Sequence, residues 1–250
     1  MQLRLEGSLS TKGRKLVITD RDLLILEFLN EMGPLTAEIV SFGFWENGLS
    51  MTSFKNCRNR LSRLQIEGLV QAVRFNSRKL LFRTTPLGVG ALKAYKPELK
   101  QVRATSQVTF NIEHAQLVAW TRLKLEKRGE ASHWRSERRL ISEDRPIQLK
   151  RLLGKMKTHI ADGTFISPEG KTRLFELEHY PKSLEQRKTR ISRLKGLLTY
   201  LPDLYQGISF ICTSKTVVEN YLPMVRGLDA QVIWMGDIFS EGELTYVIKR

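Results

Sequence analysis

The chain has 250 residues, 41% of them hydrophobic, enough to bury the core of one large domain or two modest ones. Its 41 Lys and Arg outnumber 26 Asp and Glu, giving a formal charge of +15, so the expected partner is a polyanion whose condensed counterions those side chains release. No apolar run approaches the ~18 residues of a membrane span, the opening MQLRLEGSLSTKGRK lacks a secretory apolar core, and two cysteines make neither zinc spacing nor a disulfide framework, so a cytoplasmic protein without a membrane partner is expected.

Thr19-Asp20-Arg21-Asp22 has the form of a capping box, and Leu23, Leu24, Ile25, Leu26, Phe28 and Leu29 supply the buried side of a helix that ends near Gly33-Pro34. A short helix over 36–42 and a longer one over 50–67, closed by Gly68, follow. Residues 69–84 read as two strands turning at Asn76-Ser77, and 86–95 as a last helix. Three helices and a β-hairpin predict a winged helix over residues 1–97.

In that arrangement the third helix enters the DNA major groove. Cys57, Leu61 and Leu64 form its buried stripe, which leaves Lys55, Arg58, Asn59 and Ser62 on the exposed side with Arg63 at its flank. Arg and Asn are the side chains that bond bidentately to guanine and adenine edges. Arg74, Arg78 and Lys79 on the wing suit phosphate contacts. The same face also fits a solvated surface or a protein-interaction module. Residues 1–97 carry +7 (15 basic, 8 acidic) and the remainder +8 (26 basic, 18 acidic), so both halves are expected to meet nucleic acid.

A polar connector over 98–110 leads to a second domain over 111–250. Asn111 is placed to cap a helix running to 127, a strand lies near 133–137, and a basic segment continues to 157. The stretch HIADGTFISPEGKTRLFELE then reads as a hairpin with its turn at Pro168-Glu169-Gly170. Asp162 falls on its first strand, while Glu176 and Glu178 share a face of the second because strand side chains repeat with period two. A helix over 183–200, a buried strand over 207–213, a helix over 217–226 and a strand over 231–235 complete the chain. Three gathered acids in so basic a protein suit a hard divalent cation, Mg²⁺ or Mn²⁺.

This order of helix, three strands, helix and strand, with Asp before Glu-x-Glu, resembles the restriction-endonuclease-like PD-(D/E)xK core. The fold class is therefore α+β or α/β, a winged helix followed by an α-β-β-β-α-β nuclease-like domain. With ITDRDLLILEFL, LSRLQIEGLV, TTPLGVGAL, EHAQLV, WRSERRL, ADG and FELE in order, the chain resembles, over nearly its whole length, the replication-relaxation family, which includes MobC-type plasmid mobilisation relaxases.

The resemblance implies a metal-dependent endonuclease that binds and nicks a plasmid or conjugative-element origin, as duplex and single strand, beside other mobilisation or replication proteins. It assigns Asp162 and Glu176 to the metal. Ala161 replaces the usual proline, and Glu178 stands where such nucleases have lysine, either as a third metal ligand or as the mark of a non-catalytic initiator or regulator. Lys182 or Lys188 can take the lysine's place, or serve with Arg187 and Arg190 as a phosphate grip. Glu113 is a further metal candidate, and His114 and Glu137 are acid–base or ligand candidates. Tyr180, two residues beyond Glu178, is the tyrosine best placed for a covalent intermediate, with metal-activated water the simpler route.

Overall fold

The computed structural model describes residues 16–75, 79–97, 111–142 and 161–248. The 76–78 turn with Arg78, the 98–110 connector, the 143–157 basic segment and His159 lie outside them. Two compact units, Met1–Gln116 and Leu117–Arg250, divide the chain. Among the described residues the fold is mixed α and β, with ten α-helices and two sheets, and no helix is long and apolar enough to cross a membrane.

In the first unit, α1 (Asp20–Met32) starts on the expected capping box: Asp22 N–H donates to Thr19 Oγ1 at 3.3 Å, and Thr19 N–H donates to Asp22 Oδ2 at 2.7 Å. Next come β1 (Leu35–Thr36), α2 (Ala37–Phe44), α3 (Met51–Ile66), β2 (Val70–Phe75), β3 (Lys79–Thr84) and α4 (Pro86–Tyr95). The strands form an antiparallel sheet in the order β1-β3-β2, with β2 and β3 paired from Val70↔Thr84 to Phe75↔Lys79. Two-residue β1 carries too little pattern to be read from sequence. Ile25, Leu26, Leu29, Leu35, Ile39, Cys57, Leu61, Leu64 and Leu81 are buried together as this unit's core.

Helix α5 (Ile112–Lys127) starts where expected, Asn111 Oδ1 accepting from His114 N–H at 3.1 Å, and its first residues count with the first unit. The second unit continues with β4 (Ser132–Ser136), α6 (Glu137–Ser142), β5 (Gly163–Ile166), β6 (Thr172–Glu178), α7 (Leu184–Tyr200) and β7 (Gly207–Cys212). It closes with α8 (Lys215–Tyr221), a 3₁₀ turn at Leu222–Val225, β8 (Ala230–Trp234), α9 (Met235–Ile238) and α10 (Glu241–Ile248). The sheet order is β4-β5-β6-β7-β8: the first three strands are antiparallel, and β6, β7 and β8 run parallel, which requires the crossover that α7 supplies.

Period two sorts β6 into two faces. Leu174 joins Ile191, Leu194 and Leu197 of α7 and Ile208, Phe210 and Tyr221 in one apolar cluster. Glu176 and Glu178 continue that same face toward the strand's end. On the other face Phe175 meets Trp134 edge-on, ring centres 4.8 Å apart, and Trp134 stacks on Phe165 at 5.7 Å. Gly163 makes room for this: a Cβ there would lie 3.0 Å from the Arg135 carbonyl oxygen and 3.1 Å from the Trp134 ring. The hairpin turn closes with Gly170 N–H on the Ser167 carbonyl at 2.9 Å, and Gly170 takes a φ of 77° that other L-residues rarely adopt.

Candidate functional site

The second unit gathers its acids at the carboxyl end of β6, the end of a parallel strand at which open α/β sheets bind ligands. Asp162 sits one residue ahead of β5 rather than within it. Extending the Gly163↔Phe175 register by one residue sets it across from Glu176. Its Oδ2 accepts the Leu177 N–H at 2.8 Å, and its carbonyl accepts the Glu137 N–H at 3.1 Å. Asp162, Glu176 and Glu178 are all buried, the two glutamates completely. Burying a carboxylate is costly unless a cation or hydrogen-bond donors compensate it.

Helix α7 and the residue just before its cap supply the cations. Arg190 Nε donates to Glu176 Oε2 at 3.0 Å and its terminal nitrogen donates to the same oxygen. Lys182, just before the capping box made by Ser183 and Gln186, donates to Glu178 Oε1 at 2.9 Å and lies 2.8 Å from its Oε2. One helical stripe explains the pairing: Arg190, Ile191, Leu194 and Leu197 share a face, so the end of α7 that faces the acids carries charge and the end that faces Leu174 carries aliphatic side chains.

Burial alone would lower the Arg190 pKa, but Glu176, and then Asp162 and Glu178, outweigh it and raise it above the ordinary arginine value. Arg190 thus lies under the influence of all three acids. Arg193 is lowered, first by burial and then by repulsion from Arg190, with Glu176 and Glu137 acting in the opposite sense. Burial raises the Glu178 carboxyl despite Lys182. The Tyr221 hydroxyl is pushed up by burial and by the neighbouring Glu178.

Several expected residues find other places. Arg190, expected on phosphate, is held against Glu176 with its side chain only 12% exposed. Lys188 is exposed; two residues from Arg190, it projects about 200° away around the helix, so Lys182 is the lysine at the acids. Arg187 donates to the Asn220 carbonyl at 3.0 Å. Tyr180 is 54% exposed and packs its ring on His179. Glu137 joins the cluster through its backbone bond to Asp162 and its influence on Arg193. Glu113 and His114 lie in the first turn of α5, on the first unit's side of the division.

Among the described residues no group of three or more His, Cys, Asp or Glu is arranged to hold a metal ion. Both oxygens of Glu178 lie against the Lys182 ammonium. The donor chemistry of two buried carboxylates, Asp162 just ahead of β5 and Glu176 on β6, suits Mg²⁺, which takes one or two protein carboxylates and keeps water in the rest of its shell.

In the first unit, Lys55, Arg58, Asn59, Ser62 and Arg63 are exposed on α3, opposite buried Cys57, Leu61 and Leu64. Arg58 carries its guanidinium over the Phe54 ring at 5.8 Å. Arg60 turns inward: its Nε donates to Asp22 Oδ1 at 2.6 Å and its terminal nitrogen to the Val17 carbonyl at 2.8 Å. On the hairpin Arg74 is exposed and Lys79 half-buried.

No protein-family model and no curated protein matches this chain.

Proposed function

We propose that this chain is a DNA-processing protein: a winged helix in the first unit selects a duplex site, and a PD-(D/E)xK-type core in the second nicks one strand there. The observation that carries the reading is Asp162 set across from Glu176, both buried at the carboxyl end of β6, with Lys182 against Glu178. The exposed basic and amide side chains of α3 and the charge of +15 supply the affinity for DNA. A plasmid or conjugative-element origin is the substrate to which the resemblance to the replication-relaxation family leads.

In this mechanism Asp162 and Glu176 would hold Mg²⁺ or Mn²⁺. When bound, the cation supplies Lewis acidity for a water nucleophile and for charge on the phosphate. Lys182, tethered to Glu178 four residues back, supports this reading because it brings near the acids the ammonium that the Glu-x-Glu pattern lacks at position 178, which would stabilise charge on the phosphate. Metal-activated water is the simpler nucleophile in this reading, and Tyr180, exposed and packed on His179, is the alternative for a covalent route.

A second reading, a DNA-binding initiator or regulator without catalysis, is favoured by the cations already seated on Glu176 and Glu178. Supercoiled DNA bearing a site selected by the protein from a random duplex pool separates the two. Nicking at a fixed position that needs Mn²⁺ and stops with chelator is the expected result; tight site binding without nicking under any divalent ion would establish the regulator.

A further inference from the structure

We infer that Arg190 is the resident cation of the acid pair while the protein is free of DNA, and that it yields Glu176 to a divalent ion when a backbone phosphate draws its guanidinium away. The inference rests on the metal-pair reading of Asp162 and Glu176. Two Arg190 nitrogens donate to one oxygen of Glu176, a buried side chain, and the other two acids add to the field that holds the guanidinium. A second cation entering beside it would be repelled at short range in a poorly screened site. Withdrawing the guanidinium with nothing in its place would strand buried carboxylates. The low-cost path is exchange, one cation for the other.

Phosphate is the natural acceptor for the released guanidinium, because its oxygens match the planar fork in two parallel hydrogen bonds. The consequence is a site that takes up its metal more tightly in the presence of the substrate backbone.

The test is a Mn²⁺ titration of the full chain followed by electron paramagnetic resonance. Wild type, R190Q, R190K, E176Q and the double variant R190Q/E176Q are compared. R190Q is expected to bind Mn²⁺ at least about ten-fold more tightly than wild type, the scale on which groups around a metal site tune affinity. It should melt at a lower temperature and recover on adding Mn²⁺. E176Q should abolish the gain, and R190K, which keeps one charge but not the fork, should fall between and stand in for R190Q if that variant does not fold. A short duplex, its own Mn²⁺ uptake subtracted, should tighten wild type and leave R190Q unchanged. Equal affinity in wild type, R190Q and R190K would overturn the inference while leaving the metal pair intact, provided E176Q still weakens binding. Absence of Mn²⁺ binding in all three would overturn both.

Discussion

Glu176 and Glu178 stand two residues apart on one strand, yet removing the carboxylate charge should act on them in opposite directions. Glu176 compensates Arg190, so Glu176→Ala strands a buried guanidinium and is expected to cost about 3–5 kcal/mol in denaturant unfolding. Glu178 has a carboxyl raised by burial, so its contribution is fully present below the ordinary value of 4.5 and is lost as pH rises through the raised one. Glu178→Gln should therefore raise the melting temperature at neutral pH, and the gain should vanish in acid. In the first unit the sign reverses. Burial would raise Asp22, but Arg60 and Thr19 together lower it, so its stabilisation is complete above the ordinary value of 3.8 and fades as pH falls through the lowered one. Urea titrations between about pH 5 and pH 2 should show Asp22→Asn flattening that dependence.

Helices α3 and α7 are both cationic in sequence but spend their charge differently. On α3 the apolar stripe of Cys57, Leu61 and Leu64 was enough to sort the helix: Lys55, Arg58, Asn59, Ser62 and Arg63 face out, and Arg60, off that face, closes on Asp22. Lys55→Ala is expected to weaken duplex binding and to reduce the slope of log affinity against log salt by about 1, whereas Arg60→Ala should lower stability and leave that slope nearly unchanged. On α7 the same stripe logic, run from Leu197 and Leu194 back to Ile191 and Arg190, places Arg190 inward, but the density of lysine and arginine along the helix masks it. The hairpin of β5 and β6 was legible from alternation and its Pro-Glu-Gly turn. The partners of its acids were not, because a tertiary ion pair leaves no period in the sequence. Two-residue β1 and four-residue α9 were beyond reach for a simpler reason: each is too short for its pattern to repeat.

Across the molecule, the basic excess on both sides of the connector pointed to a polyanion without saying which groups would be exposed to it. Folding withdraws part of that charge: Arg60, Arg190, Lys182, Arg173 and Lys124 are engaged with Asp22, Glu176, Glu178, Asp229 and Glu243. Each such pair lowers the cationic surface available to phosphate, so the salt dependence of DNA binding should be shallower than 41 basic residues suggest. The central claim is that Asp162 and Glu176 act on DNA and do not merely support the sheet. Its most direct measurement is single-turnover nicking of supercoiled site-bearing DNA in Mn²⁺ by wild type, Asp162→Asn and Glu176→Gln, with duplex affinity measured on the same preparations. The expected result is affinity within about two-fold of wild type and nicking lost in both variants. Nicking at the wild-type rate in either variant, with binding intact, would contradict it.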